Sequence, residues 1–277
     1  MGSLDLDTRL AGDAERACAT LSPDWRIWGP NGGYVAAIAL RAAGRASAFS
    51  RPASFACHFL GVGAFDVADV EATSLRRGRN AESLHVVLAQ GGRPFLDARV
   101  WSTDASTGLE HDFAAAPAVP PPASLRPFDE LYADEPRRYP FWDNLEGRPT
   151  DWVPDAEWQP GAPSLRCWYR FRPDARFERD AFLDAGRALI LIDTLSWPAA
   201  CRAHRENENP WMAPSLDLAA RFHRAPPYTE WLLVQASADV ATEGLIGFHN
   251  RVWDEAGHLV ASGGGSLLCR PKPASPA

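Results

Sequence analysis

The sequence predicts an α+β fold made of two helix-plus-antiparallel-sheet units in a single chain. Three observations carry that expectation. One Ala-rich helical run followed by four strand-like segments occurs twice along the 277 residues. A proline-rich stretch lies between the two copies, where ladders are broken because proline has no backbone donor. Hydrophobic residues make up 46% of the chain and charged residues 23%, enough apolar side chains for each sheet to bury one face under a helix.

In the first unit, residues 1–115, "GPNGGYVAAIALRAAGRA" sets the turn formers Pro30-Asn31-Gly32-Gly33 before a helix expected over 34–48. "ASFACHFLG", "FDVADVEATSLRRG", "AESLHVVLAQ" and "FLDARVWST" then read as strands, the last two joined by the turn at Gly91-Gly92. Residues 116–162 form the connector, in which prolines alternate with Trp142, Trp152 and Trp158. Connections beyond about 12–15 residues are uncommon, and the indoles predict that this one lies down on a surface. The second unit, 163–277, repeats the plan. Strand "SLRCWYRFRP" precedes a helix expected over 179–202. "PSLDLAARFHRAP", "EWLLVQASADVAT", "GLIGFHNRVWD" and "HLVASGGGSLLCR" follow as strands. The two sheets are expected to join edge to edge.

Composition narrows the function. A formal charge of −7 lacks the basic footprint that nucleic acid requires. The acidic N-terminus "MGSLDLDTRLAGDAERAC" does not match a secretory signal, and Leu6 breaks the myristoylation pattern after Met1-Gly2. No apolar run reaches the roughly 18–20 residues of a membrane span, so a cytoplasmic location is expected. Cys18, Cys57, Cys167, Cys201 and Cys269 are scattered without CxxC spacing and read as reduced thiols. The seven histidines show no HxxxH pairing, so neither a metal nor another cofactor is expected. The absence of GxSxG argues against a serine hydrolase.

One residue stands out. In "ALILIDTLSWP", residues 188–198, Asp193 is a lone acid in an apolar run that Pro198 terminates. Burying even a neutral polar group without a partner costs about 2–7 kcal/mol. Asp193 is therefore expected either to cap local backbone or to do chemistry. "GPNGGY" offers a second candidate: the N–H groups of Gly33 and Tyr34 at a helix start, facing a carbonyl or phosphate oxygen. Arg76 and Arg77, in "LRRGRN", are basic points suited to phosphate.

The segments "SLDLAARFHRAPPYTEWLLVQASADVATEG" and "GHLVASGGGSLLCRP" resemble the acyl-CoA thioesterase II family within the thioesterase-like superfamily, and "GPNGGYVAAIALRAA" and "LRRGRN" look like its first half. The resemblance implies a double hotdog fold and hydrolysis of acyl-CoA or another acyl thioester in lipid metabolism. It also implies a water held by an Asp, a Thr and a Gln. Those positions fall on Asp193, on Ser215, which keeps the hydroxyl, and on Gly265, which lacks the amide. Asn31, Gln235, Asn250 and Ser266 are the polar residues that could stand in for it. The catalytic candidates are thus Asp193 and Ser215. The substrate-binding candidates are Asn31, Gly32, Gly33, Tyr34, Gly265, Arg76 and Arg77. The alternative is a non-hydrolytic acyl-CoA or acyl-ligand binding protein of the same fold. A homo-oligomer is a family-level expectation.

Overall fold

The computed structural model describes residues 1–133, 139–154, 157–204 and 210–272. Its first half contains α1 (Leu4–Asp7), β1 (Ala11–Gly12), β2 (Arg16–Thr20), α2 (Gly32–Ala46), β3 (Arg51–Phe59), β4 (Val67–Arg77), β5 (Ala81–Gln90) and β6 (Arg93–Thr103). Next come α3 (Phe128–Leu131), β7 (Leu145–Pro149), β8 (Ser164–Phe171), α4 (Ala181–Thr194) and α5 (Ser196–Cys201). The last strands are β9 (Trp211–Met212), β10 (Asp217–Phe222), β11 (Leu232–Thr242), β12 (Leu245–Trp253), β13 (Leu259–Leu268) and β14 (Arg270–Pro271).

Twelve of these strands form one sheet in the order β1-β2-β4-β5-β6-β3-β10-β13-β12-β11-β8-β7. The order reads as a reflection about the β3–β10 junction, where Asp217 pairs with His58 and Arg221 with Ser54 in antiparallel register. The run β2-α2-β3-β4-β5-β6 is thus repeated as β8-α4-β10-β11-β12-β13. Alternation explains which face is buried: Leu84, Val86 and Leu88 of β5, like Ile246, Phe248 and Val252 of β12, point to the helices. The two units that the repeated order of elements predicts are present, and the fold is the double hotdog that the resemblance implies.

Small residues set the distance between the two central helices. A Cβ on Gly33 would lie 2.7 Å from Ile190 Cα, and one on Gly186 would lie 3.3 Å from Ala37 Cβ. One on Gly44 would lie 2.4 Å from the Phe182 ring. The pairs run 33 to 190, 37 to 186 and 44 to 182, so α2 and α4 are antiparallel, with the start of α2 against the end of α4.

Two helix boundaries differ from expectation. α2 starts at Gly32 because Asn31 caps it, its Oδ1 accepting the Tyr34 N–H at 2.9 Å. The helix expected over 179–202 is broken at Leu195, where Ser196 Oγ donates to the Asp193 carbonyl at 2.6 Å. Pro198 has no N–H for the Thr194 carbonyl, so α4 cannot run on.

The proline-rich stretch does lie on a surface. Ala116, Val119 and Leu125 cover Trp168, Leu233 and Trp253, and Trp168 Nε1 donates to the Pro120 carbonyl at 3.0 Å. The same stretch supplies edge strand β7, which pairs with β8. A fully buried ion pair, Asp184 with Arg187, ties α4 to the loops beside it. Asp184 accepts the Phe177 and Tyr228 N–H groups, and Arg187 donates to the Thr229 carbonyl.

Gly44→Ala tests the helix contact. Alanine gains about 1 kcal/mol of helix propensity, but overpacking costs about 1–3 kcal/mol. The expected outcome is a lower urea midpoint, partly recovered by adding Phe182→Leu.

Candidate functional site

The contact between the start of α2 and the end of α4 brings Asp193 to a helix N-terminus. Asp193 is 6% exposed. Its Oδ2 accepts the Gly33 N–H at 2.8 Å, and its Oδ1 accepts the Ser215 hydroxyl at 2.7 Å. Ser215 is held just before β10 by a bridge to Leu267 of β13. The start of a helix carries partial positive charge and favours a carboxylate. Burial outweighs this and raises the Asp193 pKa, with the Ser215 hydroxyl and the Gly33 N–H opposing the rise. Cys57 of β3 lies close by, and burial together with the Asp193 charge pushes its thiol well above the ordinary value.

Glycines let this cluster form. A Cβ at Gly32 would lie 3.0 Å from Asp193 Oδ2 and 3.1 Å from the Phe59 ring. Asn31 completes it, with Nδ2 donating to Thr194 Oγ1 at 3.5 Å. Trp28 and Trp197 flank the cluster in chain, meeting edge to face with ring centroids 6.2 Å apart, and Trp28 Nε1 donates to the Tyr139 hydroxyl. Sequence reasoning passed over Thr194 and these two indoles, although Thr194 and Trp197 stand in the same quoted segment as Asp193.

Several expected site residues are placed differently. The N–H groups of Gly33 and Tyr34 are not free for a ligand, because they donate to Asp193 and Asn31. The Tyr34 side chain is fully buried, stacked on Trp25, with its hydroxyl donating to the Asp7 carbonyl at 2.7 Å. Arg77 donates to buried Glu82, which also accepts the Ala48 N–H beyond the end of α2. Fifteen residues at about 1.5 Å each put that point roughly 22 Å from the start of the helix. Arg76, the neighbour of Arg77 on β4, pairs with Ser83 of β5. The structure does not bring either arginine to Asp193.

Gly265 also departs from expectation. In the sequence, glycine at 265 reads as space left by an absent side chain. A Cβ at Gly265 would instead lie 2.2 Å from the Asp217 carbonyl oxygen and 3.2 Å from the Phe248 ring. Strands β10 and β13 are too close for a side chain there.

The repeat shows that this site is one of two related positions with different residues. An offset of 149 residues carries cap Asn31 onto cap Asp180, Gly33 onto Phe182 and Gly44 onto Asp193. At the second position Asp180 pairs with Arg41 at 3.3 Å, and Phe182 fills the space against Gly44. Of these two positions, only the end with Asp193 carries a buried carboxylate.

Among the described residues, no group of three or more His, Cys, Asp and Glu is arranged to hold a metal ion. No described helix is long and apolar enough to cross a membrane.

Family models match both halves: an acyl-CoA thioesterase N-terminal domain over residues 21–103, and an acyl-CoA thioesterase C-terminal domain over residues 112–264. The chain belongs to the acyl-CoA thioesterase family. Its fold is similar to that of a conserved hot dog protein of unknown function from Alicyclobacillus acidocaldarius, with TM-score 0.81, 20% identity and coverage of 99% and 100% of the two chains. It is also similar to the acyl-CoA thioesterase II TesB2 from Mycobacterium marinum, with TM-score 0.79, 22% identity and coverage of 98% and 99%. A tesB protein from Mycobacterium avium subs paratuberculosis has TM-score 0.76, 20% identity and coverage of 97% and 98%. At these identities the likeness shows the fold. No curated protein matches the sequence.

Gly265→Gln, which would introduce the glutamine that the family resemblance implies, is expected to destabilise this chain by about 1–3 kcal/mol. A lowered urea midpoint would show it; an unchanged midpoint would mean that β10 and β13 part easily.

Proposed function

We propose that this thioesterase-family protein hydrolyses acyl-CoA or a related acyl thioester, with Asp193 as general base and Ser215 as the residue that orients the water. The observation that carries the reading is the buried Asp193 carboxylate, fixed by one hydroxyl and one helix N–H. Each carboxylate oxygen has two lone-pair sites, so both retain acceptor capacity beyond those bonds. The Ser215 hydroxyl donates a hydrogen bond to Asp193 and keeps an acceptor for a water hydrogen.

The chemistry then balances. The water oxygen forms a bond to the thioester carbon while one water proton passes to Asp193. The carbonyl oxygen takes the negative charge. Collapse of the tetrahedral species breaks the C–S bond, and the departing thiolate recovers the proton from Asp193. The products are a carboxylic acid and a free thiol. A positioned base of this kind contributes about 10²–10⁴-fold, so Asp193→Asn is expected to lose that much thiol release from a panel of acyl-CoA esters. Tight binding without release by the wild-type protein would favour the ligand-binding alternative. Release unaffected by the substitution would move the base elsewhere.

Asp193 acts as a base only when ionised, so activity is expected to fall as pH drops through its raised pKa. The acid limb should therefore lie above 3.8, the ordinary value for Asp. Stability carries the opposite mark. A folded-state pKa above the unfolded one means that the folded chain holds the proton more tightly, so stability decreases as pH rises through that window and stays reduced above it. Asp193→Asn is expected to unfold at a higher temperature than wild type at pH 7, with the gap shrinking toward pH 4.

A further inference from the structure

On the sheet face away from the helices, β8, β11 and β12 carry a groove of about 490 Å³. Strand alternation shows which side it lies on. Asn250 of β12 reaches the Ile192 carbonyl of α4 with its Nδ2, so its neighbours His249 and Arg251 point away from the helices and from Asp193. Gln235 and Ser237 line the groove from β11, and Ser164 and Arg166 line it from β8. Gln235, a sequence candidate to stand in for the amide at position 265, therefore belongs to this outer face and not to the Asp193 site.

Register places these groups in two lines across the strands. Gln235 pairs with Arg166 on one side and with Arg251 on the other. Ser237 pairs with Ser164 and His249 in the same way. Neighbouring strands lie about 4.8 Å apart, which sets the Arg166 and Arg251 backbones about 10 Å from each other. The first line runs on through Ser262 of β13 to Arg221 of β10, so Arg251 has a second arginine at the same spacing. Opposite His249 on β13 stands Gly264, which adds no side chain. The space between the arginines is thus left to small or neutral groups.

Charge on this face is unbalanced. Among the described residues, neither Arg251 nor Arg221 has an ion pair or a side-chain hydrogen bond. Arg166 is held by Asp151 at 2.9 Å, but both side chains are open to solvent, where such a pair is weak. No carboxylate lines the groove. Burial and the Arg251 charge together lower the His249 pKa, while Asp239 opposes them. A chain with a formal charge of −7 therefore gathers uncompensated cations at one concave place.

Chemistry selects the ligand. The forked donors of guanidinium match the oxygens of phosphate, and the Gln235 amide and Ser164 hydroxyl add neutral donors. The volume lies within the range of small-molecule sites, about 300–1,000 Å³. The overall negative charge disfavours a long polyanion. A second copy of the same face would bring guanidinium against guanidinium, which like charge opposes.

We infer that this groove binds a small phosphate-bearing anion, with Arg251 at its centre and Arg166, Arg221 and Gln235 around it. The site is separate from Asp193 and does not depend on the hydrolytic reading.

Calorimetric titration of the full chain at low salt, with inorganic pyrophosphate and with ADP, tests it. Both are expected to bind. Arg251→Ser is expected to weaken both by about tenfold to a hundredfold and to leave the unfolding temperature close to wild type. Equal affinity for the two anions would support a site that reads phosphate alone. Tighter binding of ADP would support one that also contacts the nucleoside. Wild-type protein that binds neither anion would overturn the proposal, as would binding that Arg251→Ser leaves unchanged. If the substitution weakened acyl-CoA binding in step with ADP, the groove would hold the phosphates of that ligand, and the separate site would fall. A wild-type dimer that Arg251→Ser separates would make the face an interface between copies and would overturn it too. A second measurement needs no variant: the His249 imidazole resonances follow its pKa, which a bound anion should raise by offsetting Arg251. A His249 pKa unmoved at saturating pyrophosphate would put the anion elsewhere and overturn the proposal.

Discussion

The hydrogen bond from the Gly33 N–H to Asp193 holds together residues 160 positions apart, and the rest of the site depends on it. A buried carboxylate is tolerable only where hydrogen-bond donors replace the water it loses. Here the donors are a helix N-terminus and one hydroxyl. The bond requires two helices to approach closely, and that approach requires glycine at 33, where any Cβ would collide with Ile190. It also requires α4 to stop beside the carboxylate, which Ser196 and Pro198 ensure. Packing, helix termination and the electrostatics of the acid thus meet at one point.

The double repeat gives this point a counterpart with the same backbone plan and different side chains. At one end lie Asn31, Gly33 and Asp193; at the other lie Asp180, Phe182 and Gly44. The first set has an acid, a donor and small residues. The second exchanges the acid for glycine, fills the space with a phenyl ring and engages its cap with Arg41. Antiparallel packing of two related helices makes two ends, and side-chain volume closes one of them.

Gly265, where the family resemblance implies a glutamine, is fixed by steric contact. β13 runs so close to β10 at Gly263 and Gly265 that a Cβ would fall within 2.0–2.2 Å of a β10 carbonyl oxygen. Glycine there belongs to the close β10–β13 pairing inside the second unit. That pairing and a side chain at 265 compete for the same space, and in this chain the pairing occupies it.

Much of the fold was legible because it is local. The Ala-rich run after Asn31, the alternation of β5 and β12 and the turn at Gly91-Gly92 each declare an element, and their repeated order declares the double unit. Short β2, with "RACAT", and β7 inside the proline-rich stretch carried no such pattern. The oddity of Asp193 was equally plain, since an acid in an apolar run is visible without coordinates. Its partners were less so. Ser215 came from resemblance, and the N–H groups of Gly33 and Tyr34 read as free because the sequence does not say which carboxylate or cap will reach them. Arg76 and Arg77 lie about the length of α2 away from Asp193, a separation that the sequence does not give. The sequence by itself determined the longer elements, their repeat and the presence of an acid in an apolar run, all of which follow from side-chain polarity along the chain. Only the tertiary structure decided which donors face that acid and which end of the helix pair stays open, because both depend on distances between segments that share no local signal.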